Sequence, residues 1–231
     1  MEISEKREGV RAAVPLIVGY VPLAITFGLI GNSSGLSFIE VMLMTMFIYS
    51  GAGQFMILSL MAAGTGFFEI IFTTVLLNSR MFLMATSFVN KIEESLGKAK
   101  LYTALTITDE TFSVSMFRLK KPTKDYMLGL NTAAFISWIA GAVIGYFFGS
   151  ILPDLVKEGL GITLYAMFAS MLMPDLKNSW KLTFAVLFSG GINSLITYSK
   201  VLPEGWGVIL GIVIASLFCA VFFRRKEEPN G

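Results

Sequence analysis

Residues 38–63 read FIEVMLMTMFIYSGAGQFMILSLMAA, and this stretch contains no charged residue after Glu40. A helix needs about 20 apolar residues to cross a bilayer, and this one is apolar on all faces instead of alternating as a transmembrane β-strand does. The composition of the whole chain also indicates a membrane protein, because 55% of its 231 residues are hydrophobic, only 15% are charged and its mean hydropathy is +0.71. The sequence therefore predicts an all-α, polytopic transmembrane helical bundle that forms a single domain over residues 1–231.

Seven further apolar stretches have lengths near that of a membrane-crossing helix, so we predict about eight spans. The predicted spans are residues 10–30, 38–63, 67–89, 101–117, 126–152, 160–173, 182–198 and 206–223. The fourth carries two carboxylates and the sixth is short. If one segment of the first half is re-entrant, the number of spans falls to seven.

The Lys and Arg residues of the short loops predict the orientation. With the amino terminus in the cytoplasm, twelve of these cations lie on the cytoplasmic side, five lie on the opposite side, and Arg80 is left at membrane depth. Three lysines of the loop 90–100 fall on the disfavoured side. The balance predicts a multi-pass protein of the cytoplasmic (inner) membrane with both termini in the cytoplasm.

Composition also disfavours several classes of function. The chain has no histidine, which removes His-dependent triads and the usual zinc motifs, and it has no P-loop sequence. A net charge of +2 is too small to indicate nucleic-acid binding. We therefore expect a protein that is not an enzyme, has no cofactor or metal, binds no nucleic acid and contacts the lipid bilayer.

An internal similarity joins the second and seventh predicted spans. Residues 48–54, IYSGAGQ, and 187–193, LFSGGIN, both read apolar, aromatic, Ser, Gly, small, any residue, amide. In an eight-span topology they run in opposite directions, as in an inverted repeat of residues 10–90 and 160–224 linked by spans within 101–152.

Glycines at the bilayer centre let a helix open, so we predict that helices 2 and 7 are broken and bind a substrate through freed backbone groups. The alternative is that these glycines only permit close helix packing. The predicted substrate-binding residues are Ser50, Gly51, Gly53, Gln54, Gly190, Gly191 and Asn193.

Charged side chains inside spans cost about 2.5 to 3.5 kcal/mol each, so they are expected to face a cavity or one another. Asn78 and Arg80 lie in the third predicted span, and Asp109 and Glu110 lie in the middle of the fourth. Because a buried carboxylate can carry a proton, we predict that these four residues gate transport or couple it to protons. A fixed structural pair between Arg80 and one carboxylate fits the sequence equally well.

Short motifs occur in order along nearly the whole chain. They are GYVPL at 19–23 with FG at 27–28, YSGAGQF at 49–55, LNSR at 77–80 with LM at 83–84, TDETF at 108–112 and GGIN at 190–193. Together they resemble the AzlC-type branched-chain amino acid permeases, the large subunits of a bacterial two-component transporter. The chain departs from the family pattern at Gly53, at Met81, where the family commonly has His, and at Asp175, so a His-based proton step does not carry over.

The resemblance implies export of valine, leucine and isoleucine together with a small hydrophobic membrane subunit of the AzlD type. Combined with the polar residues at depth, it predicts ion-coupled secondary transport of an amino acid substrate. Two alternatives remain open. The first is the permease component of an ATP-driven transporter, although the longest predicted interior loop, 118–125, is short for docking an ATPase. The second is a membrane scaffold or assembly protein that transports nothing.

Overall fold

A computed structural model describes residues 2–89, 98–116, 118, 122–153, 155, 159, 169, 172–173, 176–199 and 206–223. Within these residues the chain forms nine bounded α-helices and no β-strand, which confirms the all-α prediction. The helices are α1 (Glu2–Ser33), α2 (Phe38–Phe47), α3 (Gly51–Ala62), α4 (Phe67–Val89), α5 (Lys98–Leu105), α6 (Asp109–Met116), α7 (Lys124–Phe148), α8 (Trp180–Ser199) and α9 (Trp206–Phe222). A short 3₁₀ turn, Gly149–Ile151, follows α7.

Among the described residues, four helical segments are long and apolar enough to cross a bilayer. They are Ser4–Ser33, Phe67–Thr86, Lys124–Ile151 and Trp180–Ser199. The shorter helices α2 and α3 together occupy the second predicted span, and α5 and α6 together occupy the fourth. The sixth predicted span, 160–173, lies almost entirely outside the described residues. The chain is thus a multi-pass helical membrane protein in which two predicted spans consist of two short helices each.

The chain divides into two compact units. One unit comprises Met1–Leu58 and Leu77–Tyr165, and the other comprises Ser59–Leu76 and Ala166–Gly231. We call them the first and the second unit. All of α1, α2, α5, α6 and α7 belong to the first unit, and α8 and α9 belong to the second.

Backbone contact between α1 and α7 organises the first unit. A Cβ atom at Gly9 would overlap the carbonyl of Tyr126, and one at Gly28 would overlap the carbonyl of Ala142. Small residues that allow helices to approach this closely are a common basis of packing in membranes. Because the start of α1 faces the start of α7 and the end faces the end, the two helices run parallel. For two spanning helices this direction requires an odd number of crossings between them, and the sequence predicts three, over residues 38–63, 67–89 and 101–117.

An ionic cluster joins the start of α1 to the segment that precedes α7. Arg118 Nη2 lies 2.8 Å from Glu5 Oε2 and 3.0 Å from Glu8 Oε2. Thr123 Oγ1 also donates to Glu5, and the guanidinium lies 4.1 Å from the ring centroid of Tyr126. Burial alone disfavours the charged form, but the hydrogen bonds to Glu5 and Glu8 raise the pKa of Arg118 above its ordinary value. Two segments that the sequence assigns to the same membrane side therefore lie at one end of this unit.

In the second unit α8 is continuous through Gly190 and Gly191, so the prediction of a broken helix 7 is wrong. A Cβ atom at either glycine would meet nothing within 4 Å, so no neighbour of the described part of the chain forces the helix open. The side chain of Asn193 faces α9, since a Cβ at Gly207 would lie 2.5 Å from Asn193 Oδ1. The backbone groups of α8 keep their helical partners, and the glycine motif alone does not interrupt them.

Candidate functional site

The second span is interrupted at Ile48, Tyr49 and Ser50, which confirms the prediction of a broken helix 2. Ile48 leaves the helical conformation with φ −113° and ψ 61°. The backbone N–H of Ser50 donates to the Ile48 carbonyl at 2.6 Å, and Ser50 Oγ accepts from the N–H of Gly53 at 3.2 Å. Ser50 thus caps the new helix, and α3 begins immediately afterwards at Gly51.

The side chain of Gln54 bridges the interruption. Its Nε2 donates to the carbonyls of Met44 at 3.2 Å and Ile48 at 2.7 Å, which lie at the end of α2. Its Oε1 accepts from Trp138 Nε1 on α7 at 3.1 Å, and the residue is 0% exposed. Gln54 therefore adds a side-chain donor at the end of α2, to carbonyls that also accept the N–H groups of Ile48 and Ser50. Direct contact of Gln54 with a substrate stays a prediction.

Two buried polar atoms beside the interruption have no hydrogen-bond partner among the described residues: Tyr49 Oη and Asn78 Oδ1. Tyr49 is only 8% exposed, and its hydroxyl lies near Tyr20 without a hydrogen bond of good geometry. Asn78 lies against Gly53, where a Cβ atom would be 2.9 Å from Asn78 Nδ2. Unpaired buried polar atoms are rare in proteins and call for a ligand or a water.

Gly51 and Gly53 allow these contacts because they lack a side chain. A Cβ at Gly51 would lie 3.1 Å from the ring of Trp138, and one at Gly53 would lie 3.2 Å from Ser50 Oγ. The structure thus brings the predicted residues Ser50, Gly51, Gly53 and Gln54 together with Asn78 of α4.

The fourth span is also interrupted, between Leu105 and Asp109, which the sequence analysis did not predict. Thr108 caps α6: its Oγ1 accepts from the N–H of Thr111 at 3.2 Å, and its own N–H donates to Thr111 Oγ1 at 2.8 Å. This reciprocal arrangement resembles a capping box with Thr in place of Glu. The signal in the sequence was a threonine three residues before another threonine, with two acidic residues in the first helical turn between them.

The two carboxylates of α6 have different partners. Asp109 Oδ2 lies 2.8 Å from Arg80 Nη2, with side-chain exposures of 18% and 45%. Glu110 Oε2 accepts a hydrogen bond of 2.7 Å from the hydroxyl of Tyr20, which also lies 2.6 Å from Thr108 Oγ1. The Arg80–Asp109 contact matches the alternative of a structural ion pair. The roles of these residues in gating or proton coupling stay predictions.

Trp138 of α7 connects the neighbourhoods of both interruptions. Its ring packs edge-on against Tyr20, with centroids 5.4 Å apart, and against Tyr49 at 6.5 Å. Its N–H binds Gln54, as described above. The sequence analysis missed Trp138 because a single Trp in an apolar span has no periodic or motif signal.

Three predicted site residues, Gly190, Gly191 and Asn193, belong to the second unit. Asn193, Ser194, Thr197 and Tyr198 line an open cavity of about 780 Å³ on α8. Both glycines are exposed, and their backbone groups remain in the helix. Substrate binding by these three residues stays a prediction.

Several curated proteins are similar to this chain. The inner membrane protein YgaZ of Escherichia coli (strain K12) is 29% identical over 216 residues, which cover 90% of this chain and 88% of that protein. An uncharacterized membrane protein of Archaeoglobus fulgidus is 30% identical over 74% of this chain and 76% of its own. The branched-chain amino acid transport protein AzlC of Bacillus subtilis (strain 168) is 28% identical over 67% of this chain and 61% of its own. No solved structure matches the chain.

The model of one protein family, described as AzlC protein, matches residues 15–152. The match includes α2 to α7 and most of α1, and with them both helix interruptions, Asn78, Arg80 and Trp138. It covers more than half of the chain and confirms the resemblance of the sequence motifs, so the chain belongs to the AzlC protein family.

Proposed function

We propose that this chain is the main subunit of a secondary transporter that exports branched-chain amino acids across the cytoplasmic membrane, with both termini inside. Membership of the AzlC family supports the proposal, as does the name of the Bacillus subtilis relative, a branched-chain amino acid transport protein. We also propose that a small hydrophobic membrane subunit of the AzlD type is its partner. Large exposed apolar side chains on α4, such as Phe68 and Val75, are available to contact lipid or this subunit.

One observation carries the proposal: the start of α3 lies beside unpartnered polar atoms inside a membrane span. The first N–H groups of a helix have no acceptor inside the helix. Here Ser50 Oγ accepts from the N–H of Gly53, and the Ser50 carbonyl accepts from the N–H of Gln54. The N–H groups of Gly51 and Ala52 are then available for an anion, which the helix dipole favours.

An amino acid zwitterion fits this arrangement. Its carboxylate would bind at Gly51 and Ala52, and its ammonium group would donate to Asn78 Oδ1, which accepts no hydrogen bond from the described residues. Discontinuous helices whose backbone groups bind substrate are a general feature of secondary transporters. The aliphatic side chain of the substrate would then contact the apolar and aromatic surroundings, which include Tyr49 and Trp138.

Within this proposal the two carboxylates of α6 have separate tasks. Protonation of Asp109 would abolish its ion pair with Arg80, so we assign this pair to gating. Glu110 keeps a partner in both protonation states, because the Tyr20 hydroxyl can donate to a carboxylate or accept from a carboxylic acid. We therefore assign proton coupling to Glu110.

The direct test is counterflow of labelled leucine or valine in proteoliposomes that contain the chain and a co-purified small subunit. We expect saturable exchange, and we expect Asn78→Leu, which removes the acceptor at similar volume, to reduce it at least about tenfold. Thr74→Val is the matched control on the same helix, since the Thr74 hydroxyl is already bound to the Ile70 carbonyl at 2.7 Å. Absence of exchange for every amino acid would favour a scaffold instead.

A second experiment tests the coupling. Glu110→Gln should abolish export driven by a pH gradient while counterflow exchange, which needs no net proton movement, persists. Export that requires ATP and ignores the gradient would instead favour an ATP-driven transporter. If both Glu110→Gln and Asp109→Asn leave gradient-driven export intact, proton coupling by α6 is rejected.

A further inference from the structure

A second group of unpartnered polar atoms lies beside the α5–α6 interruption, away from the substrate site proposed above. Asn131 Oδ1 on α7 and Thr103 Oγ1 on α5 have no hydrogen-bond partner among the described residues, and both residues are 0% exposed. Leaving such a group unpaired in a protein interior is unfavourable, so two together need an explanation.

Hydrogen bonds from the Asn131 amide bring these two residues together. Asn131 Nδ2 donates to the Thr103 carbonyl at 3.4 Å and to Thr106 Oγ1 at 3.0 Å. The amide group therefore lies against the last turn of α5, which contains Thr103. The Asn131 Nδ2 group thus donates two hydrogen bonds, whereas Asn131 Oδ1 accepts none from the described residues.

The interruption adds backbone oxygens to this group. Thr106 and Ile107 are buried and lie outside both helices. No N–H or O–H group among the described residues donates to their carbonyls. The C-terminal end of α5 and the N-terminal end of α6 both lie at this interruption, so their dipoles oppose each other there. The unpartnered atoms named here are all oxygens.

Oxygens without donors are what a hard cation requires. A site of neutral amide, hydroxyl and carbonyl oxygens suits a monovalent ion, because divalent sites normally include carboxylates. None of these groups gains or loses a proton near neutral pH. In secondary transporters, unwound carbonyls and the C-terminal ends of half-helices coordinate Na⁺. We propose that Asn131, Thr103 and the carbonyls of the α5–α6 interruption form a binding site for Na⁺.

The experiment measures equilibrium binding of ²²Na⁺ to the purified full-length protein in detergent and choline chloride. It needs no transport and no amino acid, so its result is independent of the function proposed above. We expect saturable binding that unlabelled Na⁺ displaces better than K⁺. Thr103→Val, which removes the hydroxyl and keeps the shape, should weaken Na⁺ affinity about tenfold, equivalent to about 1.4 kcal/mol. Thr103→Ser should restore it.

Thr45→Val is the matched control. Thr45 is also 0% exposed, but its hydroxyl already donates to the Val41 carbonyl at 2.7 Å, so Na⁺ affinity should not change. Asn131→Leu should abolish binding, and if this variant does not fold, the Val and Ser variants of Thr103 decide. Absence of saturable ²²Na⁺ binding in the wild type, equal displacement by K⁺, or unchanged binding in Thr103→Val would each overturn the proposal.

Discussion

Residues 48–54 and 187–193 share one pattern of side chains, yet the first segment interrupts its helix and the second does not. The difference lies in what surrounds them. Gln54 donates to the carbonyls of Met44 in α2 and of Ile48 directly after α2, and its own oxygen accepts from Trp138. The equivalent Asn193 is one methylene shorter, and it faces Gly207 of the next helix.

This comparison shows that glycine alone does not interrupt a helix. Glycine permits a helix to open, but the opening persists only where other groups pair with the backbone that it exposes. Around Ser50 these groups are the serine hydroxyl and the Gln54 amide. Around Ser189 no such set exists among the described residues, and the helical hydrogen bonds remain the best partners available.

Removal of the bridging amide should give the largest effect. Gln54→Ala deletes three hydrogen bonds, each worth about 1 kcal/mol, so we expect the free energy of unfolding to fall by about 3 kcal/mol. Asn193→Ala, the matched change in α8, should cost less than about 1 kcal/mol because no helix end depends on it. Unfolding of the purified protein, followed by circular dichroism, measures both. Equal losses would show that Gln54 does not maintain the interruption.

An added methyl group should have opposite effects in the two segments. Gly53→Ala places a Cβ against Asn78 and Ser50, and such overpacking typically costs about 1–3 kcal/mol. Gly190→Ala meets no neighbour within 4 Å and removes a glycine from a helix interior, which should stabilise α8 by up to about 1 kcal/mol. Thermal unfolding of the two variants gives the sign directly. A stabilising Gly53→Ala would contradict the close contact with Asn78.

The smallest expected difference concerns the two serines. Ser50→Ala removes the N-cap of α3 and should cost about 1 kcal/mol. Ser189→Ala lies inside a continuous helix and should change stability by less than about 0.5 kcal/mol. The same unfolding measurement applies. If both variants behave alike, capping by Ser50 does not contribute to the interruption.

Local signals in the sequence sufficed for part of this architecture. Long apolar stretches predicted the helices, and Gly51 and Gly53 with a preceding serine predicted the interruption of helix 2. The same local pattern was misleading for helix 7, because the deciding partner of Gln54, Trp138, is far away in the chain. The sequence allowed a pair between Arg80 and one carboxylate, which is Asp109, but it did not identify Tyr20 as the partner of Glu110.

The interruption of α5 and α6 was missed for a related reason. Thr106, Ile107 and Thr108 contain neither glycine nor proline, the usual signs of a helix end. The cause is reciprocal capping by Thr108 and Thr111, supported by Asn131 of another helix. Threonine pairs of this kind are frequent in membrane helices, where they usually bond to their own backbone, so the pattern by itself predicts little.

The backbone contact between α1 and α7 has a consequence for biosynthesis. Helix α1 has its main partner in a helix that begins only at Lys124, after residues 34–123 have been made. At about 5–20 residues per second this takes roughly 5 to 20 seconds. Throughout that interval the glycines of α1 that meet α7 lack their partner. A nascent chain that stops before α7 therefore exposes an unpaired helix face, which membrane quality control can recognise.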